Sequence, residues 1–335
     1  MTAGAGAAGS HLDRARVRRW IAFVVALAAL WSLLLLGAVL AWGGDTLDAA
    51  MATIDGSLAT AVVAIFALNH ALRFARWHLM LRAEGHFVPW RRSLAIFLAG
   101  LALLPTPAKA GVAVRSVMLL DAGVPVHVSL AAYFVERMLD FVGLVMLATL
   151  LVDPGVTGNR WLPGLAIGIG AIAAILVAAP ACRALRPLVE DRPRFLRATD
   201  WLLKFLGDAA HMLGGWRLPA FLLLGMAANA ATGLLLWIVL GAAGGPIDLA
   251  YAMGTIGVAH LSGSITLLPG GIGGFEAAMM GMLSSAGVAA GTILTGAAAV
   301  RVATLWGSVL VGLPLLYAQM RRGPPAANTG ESAFP

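Results

Sequence analysis

Apolar runs of about 20 residues recur along this chain, and runs of that length suit helices that cross a hydrocarbon core of about 30 Å at about 1.5 Å per residue. They span residues 20–42, 57–77, 126–152, 161–179, 218–241 and 289–316. A membrane β-barrel would instead carry segments of about ten residues with alternating polarity, so the spans read as helices. Composition agrees: the 335 residues are 60% hydrophobic and 12% charged, against about 25% charged in a soluble domain. Soluble enzymes, collagen-like chains and chains disordered throughout are thereby excluded. The single cysteine, Cys182, rules out an internal disulfide and any cysteine-cluster metal site.

The charge pattern gives an expected orientation. Lys and Arg number 23 against 16 Asp and Glu, a net +7 that in a soluble chain would suggest nucleic acid; here most basic residues lie between apolar runs and read as a topology signal. Residues 1–19 read as a disordered basic tail ending in Arg14, Arg16, Arg18 and Arg19. The run that follows exceeds the roughly 7–15 apolar residues of a cleaved signal peptide, so it reads as a retained span. With that tail inside, Asp45, Asp48 and Asp55 fall outside, and Arg73, Arg76, Arg82, Arg91 and Arg92 fall inside. A basic segment at 183–217 and the pair Arg321-Arg322 also fall inside, which places both termini in the cytoplasm. Only Arg160 is then external, and only Arg137 and Arg301 lie deep within helices. Within 183–217, residues 201–215 read as an amphipathic surface helix that buries Trp201, Leu202, Phe205 and Leu206 and turns Lys204 and Asp208 outward.

Two apolar stretches behave differently. Residues 93–104 are too short to span and stop at Pro105-Thr-Pro107, while 250–268 contains His260 and stops at Pro269-Gly-Gly-Ile-Gly-Gly274. Each is followed by a second apolar stretch, at 108–120 and 275–286, so both read as broken or re-entrant helical hairpins. An offset of 164 residues superposes the two regions: Pro105 falls on Pro269, Ala122-Gly123-Val124 on Ala286-Gly287-Val288, Arg137 on Arg301 and Gly143 on Gly307. This reads as a duplication with halves at about 57–152 and 218–316. The charge-derived orientation makes the repeats inverted, one hairpin entering from each side. Ten full crossings remain an alternative that also keeps both ends inside.

The expectation is therefore an all-α, polytopic transmembrane helical bundle over residues 20–318, with a disordered tail at 319–335. Ionisable residues inside such a bundle cost roughly 2.5–3.5 kcal/mol each to insert, so each requires a partner or a watery cavity. Glu136, Arg137 and Asp140 lie ten to fourteen residues into the helix that begins at Val126, with Glu136 and Asp140 on one face. They read either as an ion-pair knot that locks helices or as a headgroup site in which Arg137 meets an anion. Arg301 has no carboxylate on its own helix; Glu276, another helix or the substrate must partner it. The glycines Gly270, Gly271, Gly273 and Gly274 can bend sharply and aim N–H groups at an anion. In the matching turn, from Pro105 and Pro107 through Gly111, Lys109 and Arg115 supply positive charge suited to phosphate or to interfacial snorkelling. Asn69-His70, Asn229 and His260 read as helix-to-helix bonding groups.

The pattern Pro105-x-x-x-Lys109-x-Gly111-x-x-x-Arg115, Gly123-Val-Pro125 and Val135-Glu136-Arg137-x-x-Asp140, followed by Leu268-Pro-Gly-Gly-Ile-Gly-Gly-Phe-Glu276 with Arg301, resembles the flippase-like family named after the transmembrane region of lysylphosphatidylglycerol synthases. The resemblance implies a bacterial inner-membrane protein that moves an anionic, polyprenyl-phosphate or sugar-linked lipid between leaflets, downhill or coupled to protons. In one departure, Val112 stands where the family usually has an acidic residue. The synthases add a soluble aminoacyl-transferase domain for which these residues leave no room, so synthase activity is not expected. No nucleophile elbow, Walker loop or HExxH motif occurs, and neither a catalytic residue nor a cofactor nor a metal is expected. The expected partner is a membrane lipid with a phosphate-bearing headgroup, not nucleic acid. The alternatives are a non-transporting accessory protein of a glycosyltransferase or cell-envelope pathway and a secondary transporter of a small anion.

Overall fold

The computed structural model describes residues 55–106, 114–151, 162–189, 193–245, 247–266 and 268–321, together with 22, 23, 25, 26, 29, 30 and 33 of the first apolar run, all seven helical. The basic N-terminal tail, Pro107, Lys109, Gly111, Val112 and residues 322–335 lie outside the described residues, while 319–321, expected in the C-terminal tail, belong to the last helix. No strand occurs among those described.

The first complete helix, α1 (Gly56–Ala83), has 28 residues, about 42 Å at about 1.5 Å per residue. Asp55 starts it by accepting hydrogen bonds from the Leu58 N–H at 2.8 Å and the Ser57 hydroxyl at 2.7 Å. After Gly85, which has a φ of 80°, Pro89 introduces α2 (Trp90–Leu101). A turn at 102–105 separates it from α3 (Val114–Leu120). Then come α4 (Val126–Ala148), α5 (Leu162–Leu185), α6 (Pro193–Met212) and α7 (Arg217–Ala242). The second hairpin consists of α8 (Leu249–Ile265), a 3-10 turn at Pro269–Gly271 and α9 (Gly274–Ser285). It leads into α10 (Ala290–Arg301), a π-helical turn (Val302–Trp306) and α11 (Gly307–Arg321), which run on as one rod. Helix α1, helix α7 and the stretch Ala290–Gln319 are long and apolar enough to cross a membrane.

Turns paired by the 164-residue offset match in the backbone. Gly123 and Gly287 share a φ of 78°, and each precedes a valine whose N–H reaches back to a buried leucine carbonyl, Val124 to Leu119 at 3.1 Å and Val288 to Leu283 at 3.0 Å. A left-handed residue closing one helix and turning the chain into the next favours glycine at both points. Packing repeats too. Helix α1 lies along α7, each hairpin packs on the rod that follows it, and the first helix of each hairpin crosses to the other half's rod, α2 onto α11 and α8 onto α4. Glycine makes both crossings close: a Cβ on Gly312 would sit 2.7 Å from the Leu98 carbonyl oxygen, and one on Gly257 2.7 Å from that of Leu144. Two apolar cores form, one in which Trp77, Phe97 and Leu139 of the first half meet Phe221 of α7, the other around Ile256, Phe275, Met279 and Ile293 of the second half.

Helix α6 turns part of its expected apolar face into the bundle and leaves the rest outside it. Its inward face is Leu206, Ala209 and Met212, whereas Trp201 and Leu202 are exposed. Asp208 is not turned to solvent alone; it takes a 2.6 Å hydrogen bond from His127 of α4. The helix docks against α4 and α5, and that contact selects its buried stripe.

Candidate functional site

Three positions on α4 set the chemistry. Glu136 and Asp140, one turn apart, are buried, while the Arg137 side chain between them retains 28% exposure. Arg137 holds both carboxylates, at 2.8 Å to Glu136 Oε1 and 3.0 Å to Asp140 Oδ2. Helix α1 answers with Asn69, Arg73 and Arg76, whose spacing of four and three places them on one face. Arg73 Nη1 donates to Asp140 Oδ2 at 2.8 Å, and its other nitrogens donate to the side-chain oxygens of Asn69 and Asn229 at 3.0 and 2.7 Å. Arg76, wholly buried, donates to Asp140 Oδ1 at 2.7 Å. These two arginines correct the orientation argument, which counted them as residues of the inner face. Helix α1 continues well past Trp77, and Asp140 draws both guanidiniums into the bundle.

The first hairpin supplies Arg115 from α3. It lies over the Phe97 ring at 4.2 Å and approaches Glu136 Oε2 only to 3.6 Å, leaving its Nε and Nη1 without hydrogen-bond partners. Two glycines make room for these buried cations: a Cβ on Gly225 would collide with the Arg76 guanidinium, and one on Gly100 with the Arg115 side chain.

The second half builds a different arrangement at the equivalent place. Arg301 Nε donates to Glu276 Oε1 at 2.7 Å, Nη1 to the Gly270 carbonyl at 2.7 Å and Nη2 to the Gly271 carbonyl at 3.2 Å, with the guanidinium 4.1 Å from the Phe275 ring centre. Glu276 also accepts the Gly273 N–H at 2.8 Å, and the Gly271 N–H is used by the Leu268 carbonyl at 2.8 Å. The glycine-rich turn therefore shows carbonyl groups to a cation, and the N–H groups of Gly271 and Gly273 are engaged rather than aimed at an anion. Pro269 opens the 3-10 turn and Gly274 begins α9.

Both clusters border one cavity of about 370 Å³. Leu104 and Thr106 bring the tip of the first hairpin to it, with Pro105 buried between them, and Leu268, Gly270 and Gly271 bring the tip of the second. Arg73, Arg115, Glu136, Arg137, Asp140 and Arg301 line it, as do Asn69, His70, Asn229 and His260, which sequence reasoning had assigned to helix contacts. Asn69 and His70 make such contacts as well. Asn69 donates to the Ala228 carbonyl at 2.6 Å, and His70 joins the Phe66 carbonyl and the Ser308 hydroxyl, each at 2.8 Å. The wall also includes Phe141 and Leu268, both apolar and each 46% exposed. The signal that could have found Arg73 and Arg76 is their helical register with Asn69, four and seven residues on.

A family model described as Lysylphosphatidylglycerol synthase TM region matches residues 19–312. The chain belongs to this family. Comparison with individually characterised proteins gives no match. The lysylphosphatidylglycerol synthase TM region takes in both hairpins and both arginine clusters and ends within α11. Membership and the apolar helices support a membrane location and a function tied to membrane lipid. Among the described residues, no group of three or more His, Cys, Asp or Glu is arranged to hold a metal ion.

Proposed function

We propose that the chain is a lipid translocase that moves a lipid with a phosphate-bearing headgroup between the leaflets of a bacterial inner membrane, and that it is not an enzyme. The observation that carries this reading is the cavity: two hairpin tips and two arginine clusters meet around one space inside an apolar bundle. A volume of about 370 Å³ is at the low end of small-molecule pockets, enough for a headgroup and too little for acyl chains as well. The exposed apolar surface of Phe141 and Leu268 on the same wall favours a ligand whose tails stay in the bilayer over a small soluble anion.

In this mechanism the headgroup enters between the hairpins and exchanges phosphate contacts between Arg137 and Arg301. Arginine suits the task because its planar donors grip phosphate oxygens in pairs. Helix α2 of 12 residues and helix α8 of 17 residues are about 18 and 25 Å long, short of the roughly 30 Å core, which supports hairpins that enter the bilayer and return. With the basic segments inside, both termini are cytoplasmic and the hairpins enter from opposite sides. With Arg73 and Arg76 drawn into the cluster, the orientation argument rests here on Arg82, Arg91 and Arg92, at the end of α1 and the start of α2.

Reconstitution into liposomes carrying a fluorescent phosphate-headed lipid tests the proposal. Native protein should let an impermeant quencher reach inner-leaflet label, and Arg137→Gln should reduce that rate at least about tenfold, the equivalent of about 1.4 kcal/mol on the barrier, while melting near the native temperature. Unchanged transport in the variant rejects the mechanism. A loss of activity only in step with a loss of folded protein transfers the weight to an accessory, non-transporting role.

A further inference from the structure

The charges around the cavity do not cancel. Among the described residues the two clusters hold five guanidiniums, Arg73, Arg76, Arg115, Arg137 and Arg301, against three carboxylates, Glu136, Asp140 and Glu276. With the imidazoles neutral, this leaves an excess of two positive charges. Excess charge in an apolar bundle is costly unless a counter-charge meets it. The excess is also located. Arg301 is matched by Glu276, so the surplus lies in the first half, where four arginines share Glu136 and Asp140.

The polar groups there are unfinished as well. Arg115 has two unpartnered nitrogens and reaches its nearest carboxylate only at 3.6 Å. Arg137 Nε and Asn229 Nδ2 are likewise without partners, as are Arg76 Nε and Nη1 and one acceptor, Glu136 Oε2, so unpartnered donors outnumber unpartnered acceptors in this cluster. The side chains of Arg137 and Arg73, at 28% and 19% exposure, lie on the cavity wall beside them.

We propose that this cavity selects a dianionic headgroup, a phosphomonoester or a diphosphate, over the singly charged phosphodiester of an ordinary membrane phospholipid. The inference rests on the lipid-translocase reading and narrows its substrate class. A dianion matches the excess charge and offers acceptor oxygens to Arg115, Arg137 and Asn229 together. A phosphodiester leaves one positive charge uncompensated. The second proton of a phosphomonoester leaves near pH 6, so selection should strengthen as pH rises through that value.

The test uses the full chain in nanodiscs of uncharged lipid, titrated with phosphatidic acid or with chain-matched phosphatidylmethanol, and binding is read by native mass spectrometry. At about pH 8 phosphatidic acid should bind about tenfold more tightly, and near pH 5, where it carries one charge, the two should converge. Asn229→Asp, nearly isosteric and able to keep the hydrogen bond from Arg73, lowers the excess by one charge, as does Arg137→Gln. Both variants should shrink the preference, and thermal melting confirms that they fold. Equal affinities at both pH values in the native chain overturn the dianion inference while leaving lipid binding intact. If soluble glycerol phosphate displaces phosphatidic acid at equal concentration, the dianion site stands and the lipid reading falls. If neither lipid's affinity changes in Arg137→Gln or Asn229→Asp, binding is not in this cavity and both fall.

Discussion

At the scale of single residues, the site depends on side chains that are missing as much as on those present. Arg76 reaches Asp140 through the space above Gly225, where any Cβ would meet its guanidinium. Gly225→Ala should therefore do more than raise helix propensity. The methyl displaces a fully buried cation from its 2.7 Å bond, and the expected cost is about 1–3 kcal/mol, typical of overpacking a closed core. Thermal unfolding measures it, and a variant as stable as the native chain would show that Arg76 has another place to go. Sequence reading found Glu136, Arg137, Asp140, Glu276 and Arg301 because a charge inside an apolar run stands out. It missed Arg73 and Arg76 because α1 is longer than its apolar core, and a cation near the end of a run reads as an interfacial anchor. Only the partner decides, and Asp140 lies 64 and 67 residues further along the chain.

At the scale of elements, helix existence was legible and helix environment was less so. The runs, the prolines at hairpin tips and the repeated Ala-Gly-Val turn all mark backbone events, and backbone events follow local sequence. Which face of α6 is buried depends on α4 and α5, which no local pattern records. The junction of α1 with α6 shows a second nonlocal effect. Glu84, just past the end of α1, accepts a 2.8 Å hydrogen bond from His211 near the end of α6. Burial pushes its carboxyl above the usual carboxylate range, with the His211 bond opposing. A raised folded-state value means that the folded protein holds the proton more tightly. That contribution to stability is complete below the ordinary carboxyl value of about 4.3 and is lost as pH rises through the raised one. Glu84→Gln stays neutral and still accepts from His211. It should match the native melting temperature near pH 4 and exceed it at neutral pH. A difference that shrinks toward neutrality would mean that attraction to His211 outweighs burial.

At the scale of the whole molecule, the two halves repeat turns and packing relations and divide the chemistry. Under the 164-residue offset, Glu136 corresponds to Val300, Asp140 to Thr304, Arg115 to Met279, Arg73 to Trp237 and Arg76 to Leu240. Where one half buries an ionic network, the other buries apolar side chains at Val300, Met279 and Leu240. Within the network, Arg137 with Arg301 is the pair that is charged in both. A symmetric scaffold with an asymmetric charge distribution suits alternating access, since the two orientations need not hold the headgroup equally well. This argument requires the halves to be inverted, which packing equivalence alone does not demand. Asp121, just past the end of α3, and Ser285, the last residue of α9, are exposed, occupy matching positions under the offset, and permit a direct test. In a Cys182→Ser background, Asp121→Cys should react with an impermeant maleimide only from the cytoplasmic side and Ser285→Cys only from the opposite side. Labelling of both from one side would make the repeats parallel. The headgroup would then have no second hairpin entering from the far leaflet, and an exchange of phosphate between Arg137 and Arg301 could not carry it across.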